Sequence, residues 1–198
     1  ILNMEKAVER ILRGIDSGER IAVYADYDCD GIPGATLFND FLNKIKYENF
    51  EVYIPHRNTE GYGLNNKALE LLAERGATLI ITIDSGIADV EEADHALTLG
   101  IDLIITDHHL PQGILPKAYA IVNSKQASDT YHDNMLCGAA LAWKLVSVAS
   151  QDIGCTDSFI HDARIRLNRE DRTVFRLENF EDVIEEDTAI PSNHRRRH

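Results

Sequence analysis

The sequence predicts an α/β fold: a doubly wound, mostly parallel five-stranded sheet with helices on both faces, followed by a divergent, charged C-terminal segment. Three observations carry this. Short apolar runs alternate with helical patterns along residues 1–150. Each run is continuously Val, Ile or Leu instead of alternating with polar residues, as in a strand buried on both faces. Two of the helical patterns stop at a glycine just before the next apolar run, at Gly76 and Gly100, and alternating strands and helices of this kind build parallel sheets.

The elements follow in order. Residues 4–17 form an amphipathic helix with Ala7, Val8, Ile11, Leu12 and Ile15 at helical spacing. Residues 21–25 are a buried strand, and 33–45 a helix with Pro33 near its first turn. A second strand over 50–54 leads to a helix over 66–75, and a third strand over 78–83 to a helix over 90–99. The fourth strand spans 101–106, a shorter fifth spans 118–122, and residues 136–149 are a helix that places Trp143 in the core. Residues 151–198 differ in character: eight arginines, no lysine and many carboxylates. Val174, Phe175, Leu177, Phe180, Val183 and Ile184 suggest a strand or hairpin there, with a flexible tail from about residue 191 ending in the basic stretch 194–198.

Composition bounds the function. A chain of 198 residues with 44% hydrophobic content can bury a core. No apolar run approaches the roughly 20 residues needed to cross a bilayer, and the first residues lack the pattern of a signal peptide. Cys29, Cys137 and Cys155 form no CxxC pair and read as free thiols of a reducing cytoplasm. A net charge of −13 argues against a surface that coats nucleic acid, because polyanion affinity comes largely from Lys and Arg. It permits an enzyme whose carboxylates hold divalent cations, which then meet a phosphate.

The chemistry sits at the ends of strands. Asp26-Tyr-Asp28-Cys-Asp30-Gly31 follows the first strand, Asp84-Ser-Gly86 the third, and Asp107-His108-His109 the fourth. In an open parallel sheet the carboxyl ends of the strands line one edge, where ligands bind at the topological switch point. Carboxylates crowded there repel one another unless cations neutralise them. An Asp and His set without Cys suits Mn²⁺ or Mg²⁺. Its size fits two ions, and an ion pair about 3.5–4 Å apart can hold a water nucleophile and clamp a phosphoryl group. Gly31 and Gly86 allow sharp turns beside such ions. Each piece has a plainer reading: a calcium-loop fragment, an ordinary turn, solvated loop histidines. The calcium reading lacks the later glutamate and has a strand where a helix should precede.

These residues resemble a known family. ITDHHLP carries the motif that names the DHH phosphoesterases, and VYADYDCDG, IPHRNTEGYGLN, ITIDSGI and LCGAALAWKL are similar in order and spacing to the RecJ branch of single-stranded-DNA exonucleases, over residues 4–149. The resemblance implies a Rossmann-like DHH domain and a manganese- or magnesium-dependent phosphodiesterase that removes nucleotides from the 5′ end of single-stranded DNA. It makes Asp28, Asp30, Asp84 and His108 metal ligands, with Asp84 bridging two ions. Asp26 ligates or orients, His109 ligates or donates to the scissile phosphate, and Asp107 fixes an imidazole from behind. Arg57 is a phosphate contact or a surface ion pair. Gly138 offers backbone N–H groups to a phosphate or allows close helix packing. Single-stranded nucleic acid is the implied partner, with replication and repair proteins beside it.

Two features depart from the family pattern. A further metal-binding Asp expected shortly after the LCGAA helix is not evident, since Asp152, Asp157 and Asp162 lie in polar surroundings. The family's second, nucleic-acid-binding domain has no counterpart in residues 151–198. Other readings therefore stand beside the exonuclease: a hydrolase of short oligoribonucleotides or cyclic dinucleotides, and a DHH scaffold in a replication or repair assembly. A nucleotide-binding Rossmann module would need a GxGxxG stretch after the first strand, which is missing.

Overall fold

The computed structural model describes residues 1–154. The strands are β1 (Arg20–Ala25), β2 (Phe50–Tyr53), β3 (Ala77–Ile83), β4 (Asp102–Thr106) and β5 (Ala120–Val122). They form one sheet in the order β2-β1-β3-β4-β5, and all four pairings are parallel. The fold is the doubly wound α/β sheet expected from the sequence. Expectations for residues 155–198, including the hairpin, the tail and Cys155, lie outside the described residues.

Helices α1 (Met4–Asp16), α2 (Gly31–Lys44) and α5 (Gly138–Asp152) cover one face, and α3 (Asn66–Glu74) and α4 (Val90–Thr98) the other. The two-residue period of a strand divides each run between two cores. Ile21, Val23 and Ala25 join Ile81 and Ile83 under α1, α2 and α5, whereas Ala22 and Tyr24 join Ile80 and Ile105 under α3 and α4. Continuous apolar strands are the consequence of these two cores.

Three local features differ from expectation. Helix α2 starts at Gly31, earlier than Pro33, because the Asp28 carboxylate accepts the backbone N–H groups of Asp30 and Gly31 and satisfies the first turn. Helix α5 starts later, at Gly138, because Cys137 is extended with φ −82° and ψ 168°. Trp143 is not in the core: its ring is half-buried, with the Lys144 ammonium 5.7 Å from its centroid.

The chain runs from β1 outward to β2, then back across to β3, so the winding reverses between β1 and β3. That reversal opens a crevice at the carboxyl edge of the sheet, bordered by the loops after both strands.

Candidate metal centre

Strand pairing extends one residue past the strands. Asp26 N–H donates to Ile83 C=O at 3.0 Å, Asp84 N–H to Thr106 C=O at 2.8 Å, and Asp107 N–H to Val122 C=O at 3.2 Å. With Ala25 opposite Ile83, Ile83 opposite Thr106 and Thr106 opposite Val122, the next residues make one row across the edge: Asp26, Asp84, Asp107, Asn123. All four are buried, at 4%, 1%, 1% and 0% exposure. Polar side chains are brought to one line by register alone.

Asp84 is the most constrained of them. Its φ of +61° lies in the left-handed region, which Asp tolerates better than most residues. Neither of its carboxylate oxygens has a hydrogen-bond partner among the described residues, and Asp26 Oδ1 is likewise unpartnered. Burial, followed by the charges of Asp28, Asp30 and Asp107, pushes the Asp84 carboxyl up to about 8. Burial also raises Asp26. Asp28 differs: burial opposes its charge, but the N–H groups of Gly31 and Asp30 hold it below its usual value.

Glycine makes this packing possible. A Cβ on Gly138 would lie 2.4 Å from Asp84 Oδ1 and 2.5 Å from its Cγ, so the start of α5 rests directly on the carboxylate. A Cβ on Gly31 would lie 2.1 Å from the Asp26 carbonyl oxygen. Gly31 therefore serves close approach and not the sharp turn expected of it, since its φ is not positive. Gly86, at φ +108°, does need glycine's freedom.

The two histidines stand differently. His108 Nε2 is 3.2 Å from Asp84 Oδ1 and 3.8 Å from Asp30 Oδ2. Burial and then the neighbouring His109 lower its pKa, which favours the neutral ring that a cation needs. His109 Nδ1–H donates to Asp107 Oδ1 at 2.7 Å, and the same oxygen accepts the His109 backbone N–H at 3.0 Å. This bond raises the His109 pKa despite burial. Asp107 Oδ2 accepts the Ile87 N–H at 2.9 Å, so one buried carboxylate ties the loop after β3 to the loop after β4.

Donor atoms of Asp26, Asp28 and Asp84 lie within 4.8 Å of one another, and so do those of Asp84, His108 and His109. Asp84 belongs to both triads. A family model described as "DHH family, N-terminal domain" matches residues 20–164. The chain belongs to the DHH family.

This DHH domain is 45% identical over 142 residues to the single-stranded-DNA-specific exonuclease RecJ of Bacillus subtilis, a match covering 72% of this chain and 18% of that protein. It is 36% identical over 143 residues to RecJ of Escherichia coli, covering 72% and 25%. The chain thus spans only about a fifth to a quarter of the curated relatives it matches. Among solved structures, a RecJ exonuclease bound to manganese superposes with TM-score 0.70 and 28% identity, covering 78% of this chain and 39% of that one. RecJ of Thermus thermophilus, in complex with Mn²⁺, shares the fold with TM-score 0.63 and 24% identity, covering 77% and 21%.

The donor set of this DHH domain fits a divalent cation on its own chemistry. A carboxylate that is 1% exposed, has His108 Nε2 3.2 Å away but no well-formed hydrogen bond, and is lifted to about 8 is satisfied by a proton or a cation. Carboxylate and imidazole donors are of the kind that manganese and magnesium accept.

Tyr24, Tyr62 and Asp89, all near the site, were not singled out from the sequence. The Tyr62 hydroxyl donates to the Asp84 carbonyl at 3.3 Å and lies 3.1 Å from His109 Nδ1. Asp89 accepts the Leu64 N–H at 2.7 Å, and the Tyr24 hydroxyl donates to the Gly63 carbonyl at 2.9 Å, so a half-buried carboxylate and a buried hydroxyl pin the loop that carries Tyr62. Cys137 lies against Asp30, and burial pushes its thiol up, with the charge of Asp30 adding to the effect. No cysteine belongs to either donor triad among the described residues. Arg57 is exposed, with its guanidinium 5.4 Å from the Tyr27 ring centroid in the loop after β1. The placement of Tyr62 was signalled only by its setting between Gly61 and Gly63.

Proposed function

We propose that this chain is the metal-binding portion of a phosphodiesterase that hydrolyses single-stranded DNA from the 5′ end with two divalent cations, Mn²⁺ or Mg²⁺. The observation that supports it best is the membership of Asp84 in both donor triads. In this reading Asp26, Asp28 and Asp84 hold one ion, and Asp84 and His108 the other, with Asp30 close to His108. Bound ions would neutralise the carboxylates, polarise the phosphodiester and lower the pKa of an attacking water.

The remaining work falls to the protein's own side chains. His109 has its Nδ1–H committed to Asp107, which leaves Nε2 to meet the substrate. With its pKa raised, the protonated ring can donate to a phosphate oxygen as negative charge builds there. Tyr62 flanks His109 and limits how far its ring can turn, with the two rings at 79°. In this reading Arg57, exposed and with its guanidinium 5.4 Å from the Tyr27 ring centroid, contacts a neighbouring phosphate. Gly138 keeps the start of α5 against Asp84. No described helix is long and apolar enough to cross a membrane; the reading puts the chain's work in the cytoplasm, among DNA repair and replication proteins.

The test is turnover of a 5′-labelled single-stranded DNA oligonucleotide by the full chain with Mn²⁺. The reading expects mononucleotides released from the labelled end, and none from Asp84→Asn. Hydrolysis confined to short oligoribonucleotides or cyclic dinucleotides would move the substrate class. Manganese binding without turnover of any of these would make the chain a DHH scaffold.

A further inference from the structure

The fourth member of the strand-tip row has no role in the reading above. Asn123 follows β5 as Asp26, Asp84 and Asp107 follow β1, β3 and β4, and it is the most buried of the four, at 0% exposure. Both ends of its side chain are used. Nδ2 donates to the His109 carbonyl at 2.9 Å, and Oδ1 accepts the Lys125 N–H at 2.8 Å. Its own carbonyl accepts from the Gln126 backbone N–H at 3.3 Å and from Gln126 Nε2 at 3.2 Å, and Gln126 is itself buried.

The consequence concerns His109. The exposed loop after β4 leaves the sheet at Asp107, and its histidine would be free to swing. Instead, the main chain of His109 is gripped at both ends: Asp107 Oδ1 takes its N–H, and Asn123 Nδ2 binds its C=O. Asp107 alone fixes one side of that residue, and the ring bond at Nδ1 needs the backbone held for its 2.7 Å geometry to persist. An amide suits this place better than a fourth acid. It can donate to a carbonyl, which a carboxylate cannot, and it adds no charge to a row that already holds three buried Asp.

Resting on the hydrolytic reading above, we propose that Asn123 is a positioning residue that sets His109 against the substrate phosphate by anchoring its main chain. It touches no reacting atom. Loss of its side chain should therefore lower the chemical step while leaving the donor atoms of Asp26, Asp28, Asp84 and His108 in place.

Asn123→Ala in the full, manganese-loaded chain tests this, with Gln126→Ala as the control that loosens the same turn without touching His109. For Asn123→Ala the expected result is kcat reduced about 10-fold or more, with KM and Mn²⁺ affinity within about twofold of wild type. Gln126→Ala should keep its kcat. A second readout needs no turnover: imidazole ¹⁵N spectra should show the His109 Nδ1–H in a single hydrogen-bonded environment in wild type and averaged between environments in Asn123→Ala. Equal losses in the two variants, tracking their melting temperatures, or unchanged His109 ring signals would overturn the proposal. If wild type itself cleaves nothing, the hydrolytic reading fails, while the ring signals still decide what Asn123 does.

Discussion

The start of helix α5 and the carboxylate of Asp84 are in contact through Gly138, with no room for a single added carbon: a Cβ there would meet three side-chain atoms of Asp84 at 2.4 to 2.6 Å. A rigid helix terminus is thus the back wall of the proposed metal centre. Gly138→Ala has to move either the helix or the carboxylate. The expected loss is about 10–100-fold in Mn²⁺ affinity, comparable to losing an outer-shell partner of a ligand, checked by calorimetric titration of a variant whose circular dichroism matches wild type.

Asp28 carries two duties, and two substitutions separate them. Its Oδ1 accepts the N–H groups of Asp30 and Gly31 at the start of α2, while the carboxylate also lies in a donor triad. Asp28→Asn keeps an acceptor for the helix and loses the charge, so manganese-dependent turnover should vanish with little change in stability. Asp28→Ala should lose turnover and also about 1 kcal/mol of stability, the scale of a lost helix cap. Urea denaturation of both variants reads the difference.

The metal-free protein should be more stable in mild acid than in mild base. The Asp84 carboxyl is raised to about 8, so its stabilising, protonated form is fully present below the ordinary carboxylate range and is lost as pH climbs through the folded value. Between pH 5 and pH 8, melting of the chelator-treated chain should therefore shift downward. Asp84→Asn removes the buried charge, and Asn tolerates the left-handed φ of +61° at this position. That variant should melt above wild type at pH 8 without metal. A variant curve with the wild-type pH slope would count against a charged, cation-requiring Asp84.

Away from the site, the buried Arg10 guanidinium bridges Glu19 at 2.7 Å and Asp102 at 2.6 Å. The hydrogen bond from Arg10 outweighs burial and lowers the Glu19 pKa. A depressed carboxylate contributes stability above its ordinary value of 4.5 and loses it as pH falls through the folded value. Glu19→Gln should cost about 2 kcal/mol at neutral pH, the scale of a hydrogen bond to a charged group. Its stability should also decline less than wild type's below pH 4.5, as measured by urea titration across that range.

Much of this was legible in the sequence, for identifiable reasons. Strands buried on both faces read as dense aliphatic runs, as in residues 79–83, where Leu79, Ile81 and Ile83 enter one core and Ile80 the other. Because strand periodicity is local, the acids that follow β1, β3 and β4 could be counted to one sheet edge. Asn123 was hidden because it follows a strand of only three residues and is not an acid. The contacts of Gly138 with Asp84 and of Tyr62 with His109 join distant segments that no local pattern relates. Trp143 was misplaced because α5 is apolar nearly all round, leaving no stripe to tell its inner face from its outer one.

Calorimetric titration of Mn²⁺ into the full chain and into Asp84→Asn tests the central claim most directly. Shared membership of Asp84 in two donor triads predicts that wild type binds more than one ion and that the single substitution weakens every binding step. Equal stoichiometry and affinity in the two proteins would contradict it.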